Sequence, residues 1–256
     1  MFKVYKLTIF LIFFFIFIFS SFYIRDFRID ASSDTLVAQN DADFQYFNYY
    51  KDIFPTNNNL VIAVETKNKI DKNLLNEIEL ITNKLNNIKE VASVFNINKA
   101  PILFLNNTKL TDLSNINYET LKNTDLNLND VLDEFAESPI YSNQIINVHK
   151  NITSIIIYLK PNEKIEKLKE NKNLYLSNNT YFEKKSEIDN DRNILIKKIR
   201  KIINNSNKEY NYYLGGIDMI SNDVISFVKS DISTFSILVI TFVIIILFLI
   251  FKNIKW

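Results

Sequence analysis

The chain has no cysteine, two glycines, four prolines, one histidine and one tryptophan in 256 residues. Without thiols there is no disulfide framework and no thiolate metal site, so any domain here must be stable through packing alone. The single histidine, His149, stands in the polar step HKN between two apolar stretches, where it reads as a turn residue. Glycine is far below its usual share of about 7%. Phosphate-cradling loops, dinucleotide turns and nucleophile elbows all need glycines at fixed spacing, and none is present. The chain is therefore not read as an enzyme, and no cofactor or metal ligand set is assigned. Charge of one sign is lacking too: 30 basic and 29 acidic residues leave a formal net charge of +1. A nucleic-acid surface would need a basic patch, so nucleic acid is excluded as a partner.

What the chain does have is two long uncharged apolar runs. The first spans Leu7 to Ile24 and follows MFKVYK. A cleaved signal peptide would carry an apolar core of about 7–15 residues and a small-residue cleavage site. Ile18 and Phe19 stand where the small residues should be, so residues 1–24 are read as a retained transmembrane helix. The second run, Ile232 to Phe251, has about the 20 residues needed to cross ~30 Å of hydrocarbon at 1.5 Å per residue. Asp231 and Lys252 bracket it. All 29 acidic and 26 of the 30 basic residues fall between the runs, leaving residues 25–231 near −3, while Lys3, Lys6, Lys252 and Lys255 lie on the far sides. The positive-inside rule then places both ends of the chain, including residues 252–256, in the cytoplasm and the large domain across the membrane.

Within 25–231 the pattern alternates between strand and helix. Asp41 can cap an aromatic helix in which Phe44, Phe47, Tyr50 or Lys51, and Phe54 recur at helical spacing, read as packing on the domain. Leu60–Thr66 is a β run. Asp71 opens a helix with Leu74, Leu75, Ile78, Ile81, Leu85 and Ile88 on one face, and Val91–Ile97 returns as a strand. That makes a β-α-β unit over about 59–98, half of a ferredoxin-like split. NDVLDEFAESP forms a short helix stopped before Pro139; its acids, Asp133, Glu134 and Glu137, read as a solvated face. A second unit, about 142–216, begins with a hairpin over Gln144–Leu159. It continues through a helix over Ser186–Asn205, with Ile188, Ile194 or Leu195, Ile199 and Ile202 or Ile203 inward, and ends in the strand YNYYLGG. The fold class is α+β. The excess of asparagine, lysine and isoleucine reads as a coding bias, so asparagine runs carry little meaning.

The last stretch organises the rest. The only glycines, Gly215 and Gly216, end a strand, and one helix then runs from wet to dry. Ile217, Ile220, Val224 and Phe227 or Val228 recur at three- and four-residue steps as an amphipathic face, until Asp231 breaks the series. Gly215, Gly216 and Asp231 are the candidate structural or coupling residues; the bland role of Asp231 is to end the dry segment and face headgroup water.

The layout resembles the resistance-nodulation-division superfamily of exporters, in particular its MMPL-like and hopanoid-transporter-like branch. FRIDASSDTLVAQNDAD is similar to the segment after that family's first membrane helix. FNYYKDIFPTNNNLVIAVE resembles the helix leading into its first strand, and NIKEVASVFNINKAPIL its approach to the second. IINVHKNITSIIIYLK resembles its hairpin, and YYLGGIDMISNDVISFVKSDISTF its glycine-containing strand and the helix that follows. The family usually has proline soon after the glycine, where Ile217 and Asp218 stand here. The resemblance covers nearly the whole chain. It implies the N-terminal part of a proton-motive-force-driven exporter of lipid or other hydrophobic solutes, in a bacterial inner membrane, with residues 25–231 as a periplasmic porter-like domain. It places the proton-relay acids on later helices and leaves room for a homo-oligomer and periplasmic partners. Two alternatives share the two-anchor layout: a periplasmic sensor, and a polysaccharide chain-length regulator. The latter typically carries proline and glycine in its second membrane helix, which this one lacks; sequence beyond residue 256 separates the others.

Overall fold

Residues 59–65 alternate in burial, which is what a strand covered on one face requires. The computed structural model describes residues 11–20, 41–53, 58–105, 118–162, 164, 167–168 and 180–251. Strand β1 is Asn59–Glu65, with Leu60, Ile62 and Val64 fully buried on one face. Helix α1, Leu11–Ser20, is the described part of the first apolar run, and α2 is Ala42–Ile53. Helix α3, Lys72–Asn86, follows β1 and leads to β2, Val91–Asn96. Helix α4 is Leu128–Glu137, β3 is Ile152–Leu159, α5 is Thr180–Asn204, β4 is Asn211–Gly215 and α6 is Ile217–Phe251. The chain divides into two compact units: Ala38–Asp223, and Met1–Val37 with Val224–Trp256.

In the first unit, here called the lobe, the strands form one four-stranded sheet in the order β2-β3-β1-β4, every neighbouring pair antiparallel. The two β-α-β units are interleaved. β1 and β2 flank β3, and β3 and β4 flank β1, the split β-α-β connectivity. The two units expected from the sequence are thus one sheet.

The register puts Leu60 opposite Ile157, Ile62 opposite Ile155 and Leu214, and Val94 opposite Ile157. These residues share a face, and the apolar stripes of α3 and α5 pack with it in a single core. From α3 come Leu74, Ile78, Ile81 and Leu85, all fully buried; from α5 come Leu195, Ile199 and Ile203. At the two open choices on α5, Leu195 rather than Ile194 faces inward, Ile194 being 44% exposed, and Ile203 is more deeply buried than Ile202. Asp71 caps α3 by accepting the Leu74 N–H at 2.9 Å, as its place before the apolar stripe requires. Asp41 does the same for α2 through the Asp43 N–H at 3.0 Å.

Two expectations are corrected. The hairpin over Gln144–Leu159 does not form: only Ile152–Leu159 is a strand, and Ile146 makes isolated bridges to Ser142 and Thr153. The reason is in the sheet order. β3 has β1 along one edge and, from Ile155 onward, β2 along the other, so only its first residues, at Thr153, are left for Ile146 to bridge. The preceding segment turns instead, with Asn143 and Lys150 in the left-handed region at φ 60° and 57°. Asn147 closes it: its Oδ1 accepts the N–H groups of Asn151 and Ile152 at 3.0 and 2.9 Å.

Second, asparagine is more than composition. Buried Asn96 donates to Thr82 Oγ1 at 2.7 Å and accepts from the Asn98 N–H at 2.9 Å, while Asn98 donates to the Leu75 carbonyl at 2.8 Å. These bonds satisfy polar groups that would be costly to leave unpaired in the core. Of the aromatic stripe expected on α2, only Tyr50, one of two alternatives at its third position, can be read, and it is exposed. The side chains of Phe44, Phe47 and Lys51, and all of Phe54, lie outside the described residues.

In the second unit, the described side chains of α1 are exposed, and so are those of α6 from Asp231 to Leu247. Residues 7–10, 21–24 and 252–256, on which the rest of the first expected span and the cytoplasmic end fall, lie outside the described residues, as does the polar stretch 25–40. Among the described residues, one helix is long and apolar enough to cross a membrane, Ile217–Leu247, and it contains the start of the expected second span, 232–251.

Candidate functional site

Gly215 and Gly216 lie where β4 becomes α6, and only one of them is required by geometry. Gly216 has φ +130°, a conformation side chains rarely adopt, and a Cβ there would sit 2.8 Å from Leu60 Cδ2 and 2.9 Å from the Asn59 carbonyl oxygen. A Cβ on Gly215 would meet nothing nearer than Val61 O at 3.9 Å. The glycine is thus pressed onto the start of β1. Its own carbonyl accepts the Ile220 N–H at 3.0 Å, so the helix begins immediately.

The first two turns of α6 are then tied to their surroundings by polar contacts. Asp218, in the first turn, accepts from Arg192 Nε at 3.0 Å and from Asn58 Nδ2 at 3.2 Å. Arg192, on α5, also donates from Nη1 to Asp189 at 3.4 Å, one turn back on its own helix. One turn further along α6, Asp223 accepts from Arg200 Nη2 at 2.6 Å. The Arg192–Asp218 pair is the more enclosed, with side chains 20% and 14% exposed against 42% and 22% for Arg200–Asp223. A carboxylate in a helix's first turn is also favoured by the partial positive charge of the free N–H groups.

This geometry corrects the first part of the expected amphipathic face of α6. Ile217 and Ile220 are 68% and 56% exposed; Val224 is partly buried, and of the two alternatives at the last step Phe227 is 65% exposed while Val228 is partly buried. The residues turned inward are instead Asp218, partly buried Met219, which packs on the core, and Ser221, which is buried. The arginines of α5 dictate this, because the polar side of α6 has to meet them. Asp231 is not brought to the joint; it belongs to the other compact unit, where it is exposed.

The acidic helix α4 is likewise more than a solvated face. Glu134 accepts three successive backbone N–H groups, from Leu103, Phe104 and Leu105 at 2.6, 3.1 and 2.8 Å. Asp133 pairs with Lys150, and Glu137 is exposed. Beneath them Tyr141 donates its hydroxyl to the Pro101 carbonyl at 3.0 Å and stacks edge-on against Phe135, centroids 5.0 Å apart. Burial first, and the negative charge of Glu134 second, push the Tyr141 hydroxyl up to about 12. His149 is exposed in its turn. Among the described residues no group of histidine, aspartate and glutamate is placed to hold a metal ion.

Asn58, Arg192, Arg200, Asp218 and Asp223 were not singled out by the sequence reading, yet a signal existed. Lysine supplies 26 of the 30 cations, and the lobe's only two arginines are the two that hold α6. Lobe, joint and apolar helix together describe an α+β domain feeding directly into a helix fit to cross a membrane. No family model matches the chain, and no curated protein matches it significantly.

Proposed function

We propose that this chain is the N-terminal part of a proton-driven exporter of lipid or other hydrophobic solutes, of the resistance-nodulation-division type. In this reading the ferredoxin-like lobe is the periplasmic porter domain of a bacterial inner-membrane protein, with the two apolar runs as membrane helices and both ends of the chain cytoplasmic. One observation carries it: β4 passes through a packed glycine into a single 35-residue helix whose distal part is exposed and apolar. Such a rod lets a change in the membrane bias a change in the lobe, which is what coupling an ion gradient to a binding domain requires. Part of the lobe's sheet surface suits a hydrophobic solute, with Val61, Ile156 and Tyr158 on the face opposite the core, each partly exposed.

The test is made in cells carrying the complete gene product. Efflux of a lipophilic dye and of radiolabelled membrane lipid is followed with and without a protonophore. The reading expects gene-dependent efflux that the protonophore abolishes. Val224→Pro, which breaks the helix just past the lobe at a cost of about 3 kcal/mol or more, is expected to stop efflux while the protein still inserts. Equal retention in cells with and without the gene overturns the exporter reading; unchanged efflux in Val224→Pro overturns the linkage.

A further inference from the structure

We infer that helix α2 is a lipid-binding element whose exposed tyrosine stripe docks at the headgroup level of a bilayer. The stripe follows from the helix period. Ala42, Tyr46, Tyr49 and Ile53 stand at steps of four, three and four, so they share one side of the 12-residue helix. All four are exposed, Tyr46 by 64%, Tyr49 by 62% and Ile53 by 49%. The rings form one continuous aromatic surface, because Tyr50 stands beside both others, its centroid 4.6 Å from that of Tyr46 and 5.5 Å from that of Tyr49. Apolar groups scattered singly over a surface need no partner; adjacent rings and an isoleucine on a single face do.

The chemistry of the stripe selects the partner. Each tyrosine joins an apolar ring to a hydroxyl, the combination that settles where hydrocarbon meets water. Buried in a dry protein contact, each of these hydroxyls would need a hydrogen-bond partner supplied to it. A second copy of α2 is a poor fit on size: a seam of four residues per helix falls far short of the about 800 Å² that each side of a stable interface covers. A bilayer sets no such threshold, because the chain brings it along. α6 is long and apolar enough to cross a membrane. Lobe and α6 are one chain, so lipid is present at high effective concentration whatever the angle between them. The twelve residues of α2 hold two aspartates and one lysine, so the attraction is that of the rings and not of a basic face for anionic headgroups.

This role rests on the membrane part of the proposed reading and is independent of export. The absence of cysteine makes it directly measurable. A nitroxide label is placed at one of three exposed positions at a time. These are Ile53→Cys on the stripe, Asp43→Cys about 100° round the helix from Ala42, and Ser236→Cys in the apolar run of α6. The full chain is reconstituted into nanodiscs of phosphatidylcholine. Power saturation then compares collisions with oxygen, which concentrates in lipid, and with a water-soluble nickel chelate.

Labels at Ser236→Cys and Ile53→Cys are expected to favour oxygen, and the label at Asp43→Cys to favour nickel. Removing two rings, Tyr46→Ser with Tyr49→Ser, is expected to raise nickel collisions at Ile53→Cys at least threefold. Tyr46→Phe with Tyr49→Phe keeps the rings and is expected to leave the oxygen preference in place. A nickel preference at Ile53→Cys while Ser236→Cys favours oxygen overturns the inference alone; a nickel preference at both overturns the membrane reading with it. Few collisions with either reagent at Ile53→Cys, the mark of a protein partner such as a second copy, overturn it too. So does a label at Ile53→Cys that the serine variant leaves unchanged.

Discussion

The lobe and the distal part of α6 are built from the same apolar side chains and treat them in opposite ways. In the lobe Leu60, Ile62, Ile78, Ile155 and Phe135 are wholly buried. Along α6 Phe235, Ile237, Leu238, Val239, Ile240 and Phe242 each leave more than half of their surface uncovered, on every side of the helix. What differs is the polar remainder. Lobe strands and helices interrupt their apolar residues at periods of two or of three to four, so each has a face for water and a face for its neighbours. The distal helix has no charged residue for 20 positions and so no face for water. Its backbone is satisfied within itself, and Thr241 turns its hydroxyl back to the Ile237 carbonyl at 2.8 Å, leaving little that an apolar surrounding would penalise. Burial is thus a property of pattern before it is a property of composition.

The contrast can be broken from either side. The largest effect is expected from Phe135→Ala, which opens a cavity in the lobe at a cost of about 3–5 kcal/mol. Urea unfolding followed by near-ultraviolet circular dichroism should show that loss, while extraction of the protein from membranes is unchanged. Ile240→Lys should do the reverse. A cation at the middle of the apolar run opposes insertion by about 2.5–3.5 kcal/mol. A cysteine at Ser236 should then become accessible to an aqueous maleimide, with the lobe's urea midpoint unmoved.

The passage from β4 into α6 is sharpened by comparing its glycines. Gly216→Ala is expected to destabilise the lobe by about 2–3 kcal/mol, through the left-handed backbone and the overlap with β1. Gly215→Ala should stay within about 0.5 kcal/mol. Equal unfolding midpoints for the two variants would contradict the assignment.

A smaller effect than that of Gly216→Ala concerns Tyr141. Its folded value, near 12, lies above the ordinary 10, so between those limits the folded chain keeps a proton that the unfolded chain has released. Stability from this group is complete below pH 10 and is lost as pH rises toward 12. Tyr141→Phe should cost about 1 kcal/mol at neutral pH for the lost bond to Pro101 and flatten the alkaline limb. It should not abolish that limb, because burial and the charge of Glu77 also raise Tyr212. Urea midpoints across pH 8–12 measure both.

Local order was legible wherever a period ran long enough. The α3 stripe, its Asp71 cap, the three strands β1, β2 and β4 and the unbroken run of α6 all follow from spacing and capping chemistry. What could not be read locally were relations across the chain. The 144–159 alternation has the form of a hairpin, and only the long-range pairing of β3 with both β1 and β2 confines it to a bridge at Thr153. Ile217 and Ile220 have the spacing of an inward face, yet two arginines on a helix some 20 residues earlier turn the other side of α6 inward. Where β4 meets α6, the glycines were visible for their rarity, while the arginines, of which the chain has four, went unnoticed because no local pattern gave them partners.

The interleaved sheet has a consequence for how the protein is made. Val61 pairs with Ile156 on one side and with Gly215 on the other, so the central strand waits for most of the lobe to leave the ribosome. Closing such distant partners is slow, and until β4 arrives one edge of β1 stands open. The residue that completes the last ladder, Gly215, is separated by a single residue from the first turn of α6. Sheet closure and emergence of the apolar helix are therefore consecutive events of translation.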